Sequence, residues 1–328
     1  MKPLSIIFLF LFSMIGFSQE GIPLYTDYLT DNYYLVHPSM AGSSFEGGKA
    51  RMTLRKQWFG QEEAPNLQTL SAHIRLGNRS GVGAIIFNDQ NGYHAQTGLY
   101  LTYAHHINFF RSSAELNQLS FGISIGGIQN SLDESSFDVS DYDPIISGIK
   151  QSTGYLNIDT GVSYNLLNFY AHFTIKNLLF QNRNLYNEFE SNNQRKYLAS
   201  AGYIFDLKRK VSLEPSFLFQ LSEFTKEKLL DINLKGYYPI REGRLWAGLS
   251  YRRSFEGAQY YKADVVASQK LQMITSIVGI DIKNFVFAYN YSKPIGDISF
   301  GNGGFHQITL GFNFLRGNNG YYYIKGIL

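Results

Sequence analysis

Between Phe305 and Phe314 the chain alternates. Ile308, Leu310, Phe312 and Phe314 occupy one side of an extended backbone, and Gln307, Thr309, Gly311 and Asn313 occupy the other. Successive strand residues point to opposite faces, so this stretch predicts a strand with one apolar and one polar side. The pattern recurs upstream. In 49–58, Ala50, Met52, Leu54 and Trp58 oppose Arg51, Thr53, Arg55 and Gln57, and only Lys56 interrupts the apolar side. In 67–76, Leu70, Ala72, Ile74 and Leu76 oppose Thr69, Ser71, His73 and Arg75. Further strands are predicted at 82–88, 94–108, 119–126, 158–166, 169–176, 195–206, 211–222, 228–239, 244–253, 270–282 and 284–293.

Many strands of roughly ten residues with one apolar face predict an all-β fold, a transmembrane antiparallel β-barrel of about fourteen strands. The last strand is expected to close on the first, because an open sheet edge in lipid leaves backbone groups unpaired. The predicted connections differ in length on the two sides. Those at 77–81, 167–168, 206–210, 239–243 and 283–284 are short, and those at 133–153, 181–194, 254–268 and 293–304 are long. A soluble two-sheet sandwich has no need of that asymmetry.

Composition narrows the picture. Tyr and Phe number 24 and 26, which suits the aromatic girdles of a membrane barrel. A net charge of +3 gives no strong pull toward nucleic acid. The absence of cysteine excludes disulfides, thiolate zinc sites and iron–sulfur clusters. Lys2, an apolar run over 4–17 and the small residues of Gly16-Phe17-Ser18 predict a signal peptide at 1–18, cleaved before Gln19. Residues 19–48 lack alternation and carry Pro23, Pro38, Gly42, Gly47 and Gly48. They form an irregular segment that must lie either outside the hydrocarbon layer or inside the barrel lumen, since unpaired backbone cannot sit in lipid, and the hypothesis is that they plug the lumen. The barrel then covers 49–315 and a tail covers 316–328.

Candidate chemistry is sparse. Arg51, Arg55, His73 and Arg75 share the inward face of the first two strands. They form either a basic ladder for an anionic plug or partner, or a salt-bridge network with inward acids such as Asp159, Glu214 or Asp281. Gln57-Trp58 is either a docking point or an interfacial aromatic. Asp138, Asp141 and Asp143 cluster in one loop but lack the glycine and closing glutamate of an EF-hand. His105 and His106 face opposite ways and cannot share a metal. Ser71 and His73 share a face about 7 Å apart by strand rise, without an identifiable third group for a hydrolase. Gly301-Asn302-Gly303-Gly304 is a turn with no following helix, unlike a phosphate cradle. No cofactor or metal is expected.

Asn32-Tyr33-Tyr34-Leu35-Val36-His37-Pro38-Ser39-Met40-Ala41-Gly42 resembles an N-terminal element of the PorP/SprF family of outer-membrane proteins in the type IX secretion and gliding system. Pro38, Ala41 and Gly42 match its Pro-x-x-Ala-Gly core, while His37 stands where the family often has Asn. Arg55, Gln57, Trp58 and Pro65 match the following block in order. Residues 246–252 and 305–308 resemble later strands, with Gln307 where an acidic residue is common. The tail at 316–328 is a departure. The resemblance implies a non-enzymatic outer-membrane component in contact with membrane lipid or lipopolysaccharide. It implies as partners secretion-machinery proteins and a secreted surface adhesin with a C-terminal sorting domain, and no nucleic acid. The matched residues are the expected partner or plug contacts. The alternative functions are a diffusion pore or small hydrophobic-molecule transporter, and a barrel hydrolase.

Overall fold

The computed structural model describes residues 32–44, 47–57, 64–109, 116–135, 148–180, 192–207, 211–262, 265–295 and 304–315, with backbone alone over 257–269. Fourteen antiparallel strands close into a barrel. They are β1 (Gly48–Gln57), β2 (Asn66–Leu76), β3 (Ser80–Asn91), β4 (His94–Asn108), β5 (Asn117–Asp133), β6 (Lys150–Leu166) and β7 (Phe169–Lys176). After them come β8 (Lys196–Tyr203, resumed at Phe205–Asp206), β9 (Ser212–Ser222), β10 (Lys228–Ile240), β11 (Gly243–Lys262), β12 (Val265–Ile282), β13 (Phe285–Ile295) and β14 (Phe305–Phe314). Each pairs with its neighbours in sequence. β14 closes on β1 in unbroken register from Gly48 opposite Phe314 to Gln57 opposite Phe305. No edge is left for lipid to meet.

The alternation sorts side chains between two surroundings. Met52, Leu54, Leu70, Leu101, Ile123, Leu249, Phe287, Ile308 and Leu310 are exposed on the outer face. Arg51, Thr53, Arg55, Thr69, Ser71, His73, Thr102, Asp159, Glu214, Asn290 and Thr309 are buried within. The lumen also takes apolar residues: Tyr237, Trp246, Ile277, Val286 and Ala288 form one inward cluster. The turns at 167–168 and 283–284 place Leu167 and Lys283 at φ of 53° and 52°. The tightest hairpin turns require this left-handed backbone, which matches the twist of the flanking strands. In β8 the ladder stops at Ile204 opposite the Glu214–Pro215 stretch of β9 and resumes in the same register. Proline has no N–H to give to the ladder there.

The connections differ from expectation in one respect. Residues 254–268, expected as a long loop, belong largely to β11 and β12, of 20 and 18 residues, separated only by 263–264. The register of this hairpin shifts between Arg253 and Gly257. That shift breaks the alternation on which the strand boundaries were placed, and a ribbon rising above the hydrocarbon has no need of an apolar face. The connections at 92–93 and 223–227 are likewise short although they lie on the long-loop side. Both ends of the described barrel, Gly47 and Leu315, lie on the side of the 77–79, 167–168, 241–242 and 283–284 turns. That is the periplasmic side in barrels of this kind.

Candidate functional site

Residues 32–44 lie inside the barrel. They form two short 3₁₀ turns, Tyr33–Leu35 and Pro38–Met40, and every residue from Asn32 to Ser44 except Leu35 is buried. The sequence explains the shape. Pro38 begins the second turn, where its missing N–H costs nothing. Gly42 leaves the segment with φ of 63°, and a side chain there would press on the Ile74 carbonyl at 2.7 Å.

The wall is built to receive this backbone. Inward glycines on β3 and β5 provide the clearance. A Cβ at Gly81 would strike the Ala41 carbonyl, one at Gly83 the Tyr34 hydroxyl, and one at Gly122 the backbone of Pro38 and Ser39. Around this floor the segment is held by polar contacts. Asn32 Nδ2 donates to Ser71 Oγ at 2.9 Å, and Tyr34 Oη donates to Thr102 Oγ1 at 2.8 Å. Ser39 Oγ meets Ser163 Oγ at 2.5 Å. The Gly42 N–H donates to His73 Nδ1 at 3.0 Å. Lys176 Nζ donates to the Leu35 carbonyl at 3.2 Å.

His106 Nε2 lies 3.0 Å from the Ala41 carbonyl and its Nδ1 lies 2.8 Å from Ser120 Oγ. A carbonyl only accepts, so Nε2 carries the proton. His37 is enclosed between Thr174 Oγ1 at 2.8 Å and Ser200 Oγ at 3.0 Å, its ring packed on His172. Burial, with His172 and Lys176 nearby, holds its imidazole well below the ordinary value of 6.5.

Tyr33 reaches the densest cluster. Its hydroxyl lies 2.7 Å from Tyr170 Oη and 3.1 Å from Glu214 Oε1. Glu214 also accepts from Tyr170 at 2.6 Å and from Tyr237. One buried carboxylate thus joins β7, β9 and β10 to the internal segment.

The residues expected at the site divide into two groups. Pro38, Ala41 and Gly42 belong to the internal segment. Arg55 and Gln57 are buried on β1, where Arg55 stacks over Phe305 at 4.1 Å and the Gln57 N–H donates to the Pro65 carbonyl at 3.0 Å. Trp58 lies outside the described residues, as do Asp138, Asp141 and Asp143, the 1–18 segment and the 316–328 tail. The three acids named as examples take other partners, while Asp89 is the inward acid beside Arg55. Asp159 pairs with Lys176 at 3.7 Å and Asp281 with Arg244 at 2.5 Å, while Glu214 takes tyrosine hydroxyls. Arg75 Nη1 instead donates to the carbonyls of Gly42 and Ser43 at 3.1 and 3.2 Å. Local pairing wins because Arg244 and Asp281 face each other across adjacent strands. The inward glycines, His106 and Tyr170 were missed as contacts. Glycines at inward positions of otherwise regular strands were the available signal. Among the described residues, no group of three or more His, Asp or Glu is placed to hold a metal.

The family model for the type IX secretion system membrane protein PorP/SprF matches residues 17–312. The chain belongs to the PorP/SprF family. It is thereby an outer-membrane β-barrel of type IX secretion. No curated protein matches it. Among solved structures it is similar to a mutant of TodX, a monoaromatic hydrocarbon channel, at TM-score 0.48 and 11% identity, covering 88% of this chain and 95% of that one. It is also similar to BamA from Haemophilus ducreyi lacking POTRA domains 1–3, at 0.40 and 10%, covering 82% and 70%. The translocator domain of the autotransporter NalP from Neisseria meningitidis gives 0.36 and 10%, covering 83% and 90%. Strand pairing, not these scores, carries the description of the barrel.

Proposed function

We propose that this PorP/SprF barrel supports export or surface retention of a secreted partner, such as an adhesin with a C-terminal sorting domain, and works as a closed barrel. The observation that supports this reading is the seating of residues 32–44 on an inner wall shaped for them, with glycines under the backbone and side chains around it. A diffusion pore gains nothing from a segment bonded across its lumen. Pro38, Ala41 and Gly42 act as plug residues. Arg55, Gln57 and Pro65 lie on the rim on the opposite side from Gly47 and Leu315, and together with Trp58 they are the residues proposed to hold a partner. The protein is not a hydrolase in this reading, because Ser71 and His73 grip two different points of the internal segment, Asn32 and Gly42.

The test is deletion of the gene, followed by quantification of adhesins on the cell surface, together with affinity capture of the barrel from solubilised outer membrane. Loss of one adhesin from the surface and its co-capture with secretion-machinery proteins are expected. Unchanged surface display with large single-channel conductance of the purified barrel would overturn the proposal in favour of a pore.

A further inference from the structure

Many glycines in the wall are accounted for by the protein itself. A side chain at Gly81, Gly83 or Gly122 would strike the internal segment, and one at Gly98 or Gly126 would strike Phe87 or Tyr100. Gly127 and Gly154 are different. Neither has a positive φ. Among the described residues, a Cβ at Gly127 would meet nothing within 4 Å, and one at Gly154 only the Ile128 carbonyl oxygen at 3.7 Å. Glycine inside a strand forfeits packing and adds unfolded-state entropy. Two such glycines on adjacent strands mark a place where something other than this chain approaches the backbone.

Both point outward, since their neighbours Ile128 and Tyr155 turn into the barrel cluster. The register sets Gly127 between Leu99 on β4 and Leu156 on β6, and Gln129 between Thr97 and Gly154. Two rows result. The lower row carries Leu156 beside the vacancy at Gly127, with exposed Leu99 flanking it. The upper row carries Thr97 and Gln129 beside the vacancy at Gly154. With Ile86 and Asn88 of β3 they line a shallow recess of about 780 Å³ in the outer face. Below it the wall continues into the lipid belt at Leu101 and Ile125. Above it the outward residues of β5 and β6, Ser131 and Ser152, are polar, as at the edge of the hydrocarbon layer on the side away from Gly47 and Leu315.

We propose that this recess binds one acyl chain of a lipid A-type glycolipid of the outer leaflet, with its linkage held by Thr97 and Gln129. Continuity with the lipid belt supplies the route of entry, because a chain already in the bilayer slides into the recess without crossing water. The polar row favours the glycolipid over a glycerophospholipid. An amide-linked, hydroxylated acyl chain both donates to and accepts from an amide side chain, whereas an ester only accepts.

The test uses the full-length protein extracted from its own outer membrane in mild detergent, with bound lipid counted by native mass spectrometry. Purified lipid A and phosphatidylethanolamine are the probes for rebinding. The recess is filled by the double substitution Gly127→Leu and Gly154→Leu. Ala247→Leu, on the outer face of β11, serves as the control. Wild type and control are expected to retain one lipid A per barrel, and the filled variant to lose at least tenfold in occupancy. Thr97→Val with Gln129→Leu, which leaves the recess empty, is expected to weaken lipid A binding and serves should the filled variant fail to fold. Equal retention by all variants would reduce the recess to ordinary lipid contact. Preferential rebinding of phosphatidylethanolamine would overturn the glycolipid assignment.

Discussion

Gly122→Leu tests whether the inner wall and residues 32–44 are fitted to each other. Gly122 lies on β5 with its missing side chain aimed at the peptide between Pro38 and Ser39. The obstacle there is backbone, which cannot rotate away as a side-chain tip can. The second 3₁₀ turn must therefore lift off the wall, straining the Ser39–Ser163 contact and the Ala41 carbonyl bond to His106. Overpacking of a fitted interface costs about 1–3 kcal/mol. Each net hydrogen bond given up adds about 0.5–1.5 kcal/mol. With both bonds given up, a destabilisation of about 2–6 kcal/mol follows in the intact protein. In a variant lacking residues 19–44 the same substitution meets open lumen. There it should be neutral or slightly stabilising, because replacing a strand glycine restricts the unfolded chain. The coupling is read from urea unfolding of the four proteins of the cycle in lipid or detergent, followed by fluorescence. Equal effects of Gly122→Leu with and without residues 19–44 would show that the segment does not rest on this strand.

Three further outcomes are expected. Tyr33→Phe removes the hydroxyl shared with Tyr170 and Glu214. It should make the internal segment easier to release by about 1–3 kcal/mol, read as faster protease cleavage within 32–44, while barrel unfolding changes less. Seating should weaken in acid through His37, whose pKa is depressed when buried. The released imidazole takes a proton below about 6.5 and the seated one does not, so the contribution is complete above that value and declines as pH falls below it. The loss of protease protection between pH 7.5 and pH 5 should be smaller in His37→Gln, with wall contacts from His73 and His106 retained in both. Leu249→Arg, on the exposed face of β11, should cost about 2–4 kcal/mol if it sits near the bilayer midplane, whereas Phe312→Arg near the strand end should cost about 0–1. Reversal of that order in bilayer folding titrations would show the belt to be misplaced.

The barrel was legible because lipid and lumen impose opposite demands on consecutive residues. That demand writes itself into the sequence at every second position, as in Ile308-Thr309-Leu310 and Leu70-Ser71-Ala72. It fades where the register or one of the two surroundings changes. In β11 and β12 the register shifts between Arg253 and Gly257, so their extension over 254–268 carried no alternating mark and read as loop. Inside, Trp246, Ile277 and Val286 pack on one another, so the inner face of these strands is apolar in part and the alternation is weaker there.

The internal segment lacks any period, and only its Pro and Gly positions announced that it was neither strand nor helix. Its contacts could not be read from charge either. The wall arginine and histidines were legible as inward groups, and toward the segment Arg75, His73 and His106 bind its carbonyl and N–H groups. A short irregular chain leaves backbone groups that no helix or ladder satisfies. A polar wall with both donors and acceptors answers that need, and carboxylates would serve only the donors. The glycines complete the fit by letting the two backbones approach. The same reasoning separates Gly122 from Gly127: both are strand glycines in one sequence, and only the register turns the first inward, where it makes room for this chain, and the second outward, where we propose it makes room for a lipid.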